Sequence, residues 1–328
     1  MTASTIIAVV PAPSTIEPHT EKPSAPSRFD LAGIARFLLR RPGLILSILV
    51  VGSVVLAAFV PELFASRDPL RATPAQRFAP PSTQHWFGTD ELGRDHYTRV
   101  IHGTALSLQA TLIAVGVALV VGAAIGLLAG FVRGWVESVS MRLVDVVLSI
   151  PALFLSLALV TALGRGTVEI AVAVGVAGVA GFARVMRAEV LRVSEADYVD
   201  AACASGTRWY VVMVRHVLPN ARGPVLVLAT LELGTAVLAV ASLSFLGFGA
   251  APPAPEWGTL IAGGRNYLAN AWWLSTLPGL VVVATVLSVN RIAHALDGEW
   301  SRRATPHLPA GDRAPAAVST TETEEKHQ

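Results

Sequence analysis

Lysine is nearly absent from this chain: of its 25 basic residues, only Lys22 and Lys326 are lysines, and both lie in polar terminal stretches. No Gly-x-x-x-x-Gly-Lys-Ser/Thr can therefore be written, so any P-loop that supplies nucleotide energy must sit on another chain. A single cysteine, Cys203, excludes an intrachain disulfide and any multi-cysteine metal cluster. The 8 histidines are scattered, with no His-Glu-x-x-His and no paired ligand spacing, so no metal site is expected. Ser242 and Ser244 fall in an apolar run with no histidine spaced to activate them, and no catalytic residues are assigned. A net charge of +2 makes no case for nucleic acid. Charge itself is scarce, at 15% of residues, where soluble domains carry about 25%.

What the chain has instead is apolar length, with 53% hydrophobic residues. A helix needs about 20 residues to cross the hydrocarbon layer of a bilayer. Six segments qualify, at about 43–64, 107–131, 143–163, 168–186, 224–247 and 274–295. In lipid the backbone must satisfy its own hydrogen bonds, so runs of this length read as helices. The fold class expected is an all-α polytopic membrane protein with six transmembrane helices. Thr111 to Val132 carries no charge, and Gly122, Gly126 and Gly130 recur four apart on one face, where small residues permit close helix contact. Pro151 falls inside the third segment and is expected to kink it.

Alternating the polar segments across a membrane, with Arg184 and Arg291 at the ends of their apolar segments counted with the loops they adjoin, puts 18 of the 25 basic residues on the side of both termini. The positive-inside tendency then makes both termini cytoplasmic. The longest loop on that side is about 187–223, between the fourth and fifth apolar segments. In it apolar or small residues recur at helical spacing through Tyr198, Ala201, Ala202 and Ser205, and Gly206 interrupts them. The expectation is a short helix, a turn at Gly206, and a second short helix ending before Pro219. Glu232 lies midway along the fifth apolar segment. An ionisable residue at that depth is costly and points to a solute pathway or to pairing with a neighbouring helix. Asp145, Glu169 and Arg184 lie near segment ends, within reach of the interface. Trp257, Trp272 and Trp273 fall where indole rings favour the membrane boundary, and Gly88 to Asp95 reads as a tight, ion-paired turn.

Three motifs carry a family resemblance. The first is Asp200-Ala201-Ala202, then Gly206, then His216-x-Leu218-Pro219. It resembles the Glu-Ala-Ala…Gly…Ile-x-Leu-Pro loop of the inner-membrane permeases of binding-protein-dependent ABC importers, with Asp for Glu and His for Ile. The run Arg215-His216-x-Leu218-Pro219-Asn220 is similar to the dipeptide/oligopeptide/nickel branch. The second motif, His85-Trp86-Phe87-Gly88-Thr89-Asp90-Glu91-Leu92-Gly93-Arg94-Asp95, resembles the segment preceding the transport core in the C-type subunit of that branch. The third is Ser242-Leu243-Ser244-Phe245-Leu246-Gly247-Phe248-Gly249. Family members often carry a Glu shortly before it, where this chain has Val240. The resemblance runs from about Arg40 to about Asn290, and nothing is carried over beyond Asn290.

The resemblance implies an ABC importer type I permease fold. It implies coupling to an ATPase through Asp200, Ala201, Ala202, Gly206, His216, Leu218 and Pro219. It also implies these partners: a second permease subunit, two cytoplasmic ATPase subunits that bind ATP and magnesium, an extracytoplasmic substrate-binding protein, and membrane lipid. This chain itself is expected to bind no cofactor and to perform no chemistry. The expected organisation is a tail over 1–28, a first membrane helix within 29–66, an extracytoplasmic loop over 67–106, a permease core over 107–296 with its coupling loop at 187–223, and a cytoplasmic tail over 297–328. The solute expected is a peptide, with nickel or another non-peptide solute as the alternative. An ion-coupled secondary transporter is the rival of another class; it would call for inverted repeats and several mid-membrane ionisable residues.

Overall fold

The computed structural model describes residues 41–304. Among them, strand pairing is confined to one isolated bridge between Thr89 and Asp95. The long helices are α1 (Pro42–Phe59), α2 (His96–Val132), α3 (Gly134–Leu148), α4 (Ala152–Leu163) and α5 (Thr167–Ser194). They are followed by α6 (Asp197–Ala204), α7 (Trp209–Val212), α8 (Leu218–Leu243), α9 (Trp257–Gly264) and α10 (Trp273–Ala304). Five of these stretches are long and apolar enough to span a membrane singly, and α3 with α4 makes a sixth if the bent pair is one span.

The centre of the bundle is the α2–α5 contact, and small residues make it possible. A Cβ at Gly122 would lie 2.6 Å from the Phe182 Cβ, at Gly126 2.8 Å from the Met186 Cβ, and at Gly130 2.9 Å from the Val190 Cβ. From the other side, a Cβ at Gly175 would lie 2.8 Å from the Ala114 carbonyl oxygen. The two backbones therefore touch at one level after another, as small-residue stripes allow. Sequence position rises together on both helices, so α2 and α5 run parallel. The chain between them must return to its starting level, and α3 and α4 do this.

That return path differs from the expected single kinked span. Helices α3 and α4 meet at 94° across Ser149–Pro151. Proline has no N–H for the helical ladder, and the residue before it is pushed out of the α region. Here the ladder stops outright: Pro151 takes an extended ψ of 129° and opens α4 instead of bending α3. Val144 of α3 packs against Ala180 and Ala183. At the other end of the return, Val160 of α4 packs with Ala110 and Ile170.

Helix α8 runs antiparallel to α5. Val217 and Ala221 share a core with Val190 and Val193, while Val240 and Leu243 share one with Ala110 and Ile170. Helix α10 starts beside the N-terminus of α2, where the Leu274 carbonyl meets His96, and Asn290 later covers Gly234. The start of α1 lies under the Arg291 guanidinium. The beginning of α1 and the later part of α10 thus point toward the end of the bundle that carries α6.

Other boundaries also move. Helix α2 begins at His96, so 96–106 belongs to it and not to a loop ending at 106; Asp95 caps it by accepting from the Thr98 N–H. The helical path after Gly206 does not end before Pro219. A π-helical stretch over Met213–Val217 joins α7 directly to α8, and Pro219 falls in the first turn of α8, just after this wider stretch. Helix α10 continues through Ala304, into the segment read as a tail from 297. The tail over 1–28 and the remainder over 305–328 lie outside the described residues.

Candidate functional site

The segment over 197–217 is built outward. Two residues, Glu195 and Ala196, separate α5 from α6, so α6 is held close to the end of a long helix. It anchors through Val199, which is buried, and Ala202, which is half-buried against the core of Val190, Val193 and Val217. Asp200, Ala201, Cys203 and Tyr198 are exposed. Gly206 then turns the chain at φ +78°, a conformation that costs an L-residue about 1–2 kcal/mol. A Cβ there would meet nothing within 4 Å, so the side open to solvent is unobstructed. Trp209 and Tyr210 extend the exposed face beyond the turn.

The residues singled out in the sequence divide into two places. Asp200, Ala201 and Gly206 form one exposed knob, with Ala202 half-buried at its base. His216, Leu218 and Pro219 lie at the junction into α8, where His216 is half-buried and Leu218 packs on the core that receives Ala202. The Asn220 amide donates to the His216 carbonyl at 2.6 Å. Behind the knob, ion pairs tie α3 to α5. Arg187 Nε donates to Glu137 at 2.8 Å and Arg184 to Asp145 at 2.6 Å.

Glu232 lies 14 positions along α8 from Leu218, about 21 Å at the helical rise. It lines a cavity of about 130 Å³ together with Ser156 of α4 and Ala118 of α2. Its carboxylate accepts from the Thr235 hydroxyl at 2.6 Å, a partner on its own helix.

The opposite end of the bundle is built inward. Asp90 accepts from Arg94 Nε at 2.6 Å and from the N–H groups of Leu92 and Arg94 at 2.9 Å, while Gly88 and Gly93 make the turns at φ +68° and +74°. The ion-paired turn expected from Gly88 to Asp95 is therefore present. The tryptophans depart from an interfacial belt. Trp257 is 2% exposed and donates its indole N–H to the Val100 carbonyl at 3.1 Å. Trp273 is also buried and aims at the Thr89 carbonyl, which leaves Trp272 as the exposed member of the three. The loop closes on the bundle here, so indoles that would have faced lipid pack inside it.

Sequence reasoning missed Glu256. It is 1% exposed, accepts from the Ser244 hydroxyl at 2.6 Å and from the Ala250 N–H at 2.7 Å, and so pins the loop after α8 to α9. Its place between Pro255 and Trp257 in a polar loop carried no signal of burial. Among the described residues, no three His, Cys, Asp or Glu side chains converge to ligate a metal ion.

Comparison with known proteins agrees with this architecture. Residues 122–302 match the family described as the binding-protein-dependent transport system inner membrane component. The dipeptide transport system permease protein of Alkalihalophilus pseudofirmus is 36% identical over 77% of this chain and 83% of its own length. The probable D,D-dipeptide transport system permease protein of Escherichia coli is 35% identical, over 84% and 92%. The di/tripeptide transport system permease protein of Pseudomonas aeruginosa is 38% identical, over 77% and 84%. On that extent of similarity, joined to the stacked membrane helices, the chain belongs to the family of inner membrane components of binding-protein-dependent transport systems.

Proposed function

We propose that this chain is one permease subunit of an ATP-driven importer that carries peptides across the cytoplasmic membrane. Both its termini face the cytoplasm. It pairs with a second permease subunit to enclose the solute path. Two cytoplasmic ATPase subunits hold ATP and magnesium and perform the hydrolysis, and an extracytoplasmic binding protein delivers the solute. Peptide as the solute is supported by the printed names of the relatives above, each of which describes a dipeptide or di/tripeptide permease. Membership in the family displaces the ion-coupled secondary transporter.

The observation that carries the coupling role is the exposed knob of α6 and Gly206 on a stiff mount. Force on Asp200, Ala201 or Gly206 has little slack to be lost in. It passes through the Glu195–Ala196 link to α5, and through the π stretch without a break into α8. Ala202, Leu218 and Val217 share one core, so His216, Leu218 and Pro219 move with the knob. The Arg187–Glu137 and Arg184–Asp145 pairs extend the same movement to α3. Alternating access follows if the ATPases, in their open and closed states, bind the two pore conformations with different affinity, since only such a difference shifts the equilibrium. Glu232, at the cavity between α2, α4 and α8, is the residue proposed to meet the solute on its way.

Cys203 makes the test direct, because it is the chain's sole cysteine and is exposed on α6. A thiol-anchored photo-crosslinker on Cys203 of the assembled importer in membranes should join this chain to an ATPase subunit. Crosslinks that reach the extracytoplasmic binding protein, and never an ATPase, would overturn both the coupling role and the orientation.

A further inference from the structure

Midway along α8, a cavity of about 130 Å³ opens between that helix, α2, α4 and α5. It is smaller than the about 300–1,000 Å³ of sites that enclose a whole small molecule, so it suits one end of a longer solute. Three polar side chains line it, Ser156, Glu232 and Thr235; the rest of the wall is small or apolar, including Ala118, Leu153 and Phe182. All three present acceptors. The Ser156 hydroxyl donates to the Ala152 carbonyl at 2.8 Å and the Thr235 hydroxyl to the Glu232 carboxylate at 2.6 Å. A hydroxyl whose hydrogen is engaged in this way still has lone pairs to accept with. The other carboxylate oxygen of Glu232, Oε1, has no hydrogen-bond partner and is not occluded. Among the described residues, no Arg, Lys or His lines the cavity, so it is built for a donor and not for an anion.

The donor must also be a cation. Glu232 makes no ion pair among the described residues, and its one side-chain partner, Thr235, lies on its own helix. An uncompensated carboxylate at the middle of a membrane helix is costly, so the counter-charge comes from outside this chain. A hard metal ion takes about six or more oxygen ligands, and no cluster of three candidate ligands exists among the described residues. A primary ammonium, a single positive charge carrying several N–H donors, matches one carboxylate with hydroxyls beside it. The face of α8 shows from which end it arrives. Thr235, Ala239 and Ser242 follow Glu232 at helical spacing and share its face. On the other side of Glu232, Val225 and Leu228 belong to the hydrophobic core. The polar face therefore runs about 15 Å from Ser242, near the end away from α6, and stops at Glu232.

We infer that this cavity receives the amino terminus of a peptide in transit, its α-ammonium on Glu232 Oε1, with Thr235 and Ser156 as further acceptors and the first side chain on the apolar wall. The inference rests on the peptide-importer reading and adds to it the end of the peptide that this subunit recognises. Because every linear peptide begins with the same group, such a site accepts many sequences and rejects a blocked amino terminus.

The test uses the assembled importer in lipid nanodiscs without its binding protein, with radiolabelled Ala-Ala and N-acetyl-Ala-Ala as probes. Ala-Ala should bind about tenfold more tightly than the acetylated probe, in line with the net worth of one hydrogen bond to a charged group. Glu232→Gln should bring Ala-Ala down to the level of N-acetyl-Ala-Ala and leave the latter unchanged. Glu232→Asp should keep part of the preference, which tracks the charge and not the shape of the side chain. Equal binding of the two probes by the unaltered importer, including binding of neither, overturns the site. So does a preference for Ala-Ala that survives Glu232→Gln; if that variant also loses the second permease subunit on purification, the carboxylate belongs to a cation of that subunit. Receptor-dependent uptake of Ala-Ala into liposomes is measured on the same preparations. Uptake without the preference at the site sinks this inference alone, whereas failure to take up any peptide sinks the importer reading on which it rests.

Discussion

At one end of the bundle, α6 buries Val199 and leaves Asp200, Ala201, Cys203 and Gly206 in solvent. At the other, the stretch from Gly88 to Arg99 and the segment from Ser244 to Trp257, whose first five residues are a π-helical continuation of α8, close over Asp90, His96, Arg99 and Glu256 until each is almost wholly buried. Both ends are polar by composition and both join membrane helices. They differ in where their hydrogen bonds go. The closed end directs carboxylates to groups of its own chain, Asp90 to Arg94 and Glu256 to Ser244 and Ala250. The open end pairs few of its side chains and keeps one face for contact. A polar segment that satisfies itself is architecture, whereas one that leaves its groups in water is a surface. The contrast separates an exposed face at one end from a self-bonded, closed one at the other.

The comparison predicts that damage at the closed end appears in stability and damage at the open end in transport. The largest effect is expected for Glu256→Ala, which strands the Ser244 hydroxyl and the Ala250 N–H. It should lower the unfolding free energy by about 3 kcal/mol, since hydrogen bonds to charged groups are worth roughly 1.5–3 kcal/mol each. The thermal midpoint of the purified protein is the measurement, and an unchanged midpoint would mean that this end is not held by its buried charges. Gly206→Arg should cut peptide uptake by about tenfold, equivalent to about 1.4 kcal/mol of lost coupling. It adds bulk on an open face and brings the strain of a positive φ. Gly206→Ala carries the same strain without the bulk, so uptake retained by Ala and lost with Arg would separate docking from folding.

A smaller effect is expected for Glu232→Gln. Its carboxylate is bonded within its own helix at Thr235, so the thermal midpoint should hold while uptake falls by about threefold. If uptake and assembly are both untouched, Glu232 is a bystander. The smallest effect is on stability in Tyr198→Ala. Tyr198 is exposed on α6, and surface substitutions of this kind usually stay within about 0.5 kcal/mol. A drop several times larger would show that the knob is part of the core after all.

Much of this was legible in the linear chain because hydropathy acts locally. The apolar runs at 43–64, 107–131, 168–186, 224–247 and 274–295 all lie on helices, though their edges shift. Helix α2 starts earlier than its apolar run because His96, Arg99 and His102 stop a hydropathy window but do not stop a backbone capped by Asp95. The glycine stripe on α2 was legible as a face; its partner was not, because nothing in Gly122, Gly126 and Gly130 names Phe182, Met186 and Val190. Pro151 marked a disturbance, but the 94° turn depends on what α3 and α4 each pack against. The knob from Asp200 to Gly206 could be found by its spacing, since a short helix and a glycine turn are local events. The closed end could not. Trp257, His96 and Glu256 look like interfacial or solvent residues until segments more than a hundred positions apart meet, as Trp257 does with Val100.

By itself the amino-acid sequence determined which stretches leave water, where helices cannot continue, and which short loop turns on glycine, because each depends on the chemistry of neighbours along the chain. The tertiary structure alone decided that α2 and α5 run parallel at close range, that the third span is broken, and that Arg99, His96 and Glu256 are dry. Burial is a property of what arrives from elsewhere in the chain, and a charge becomes costly, and so informative, only once water has been displaced from around it.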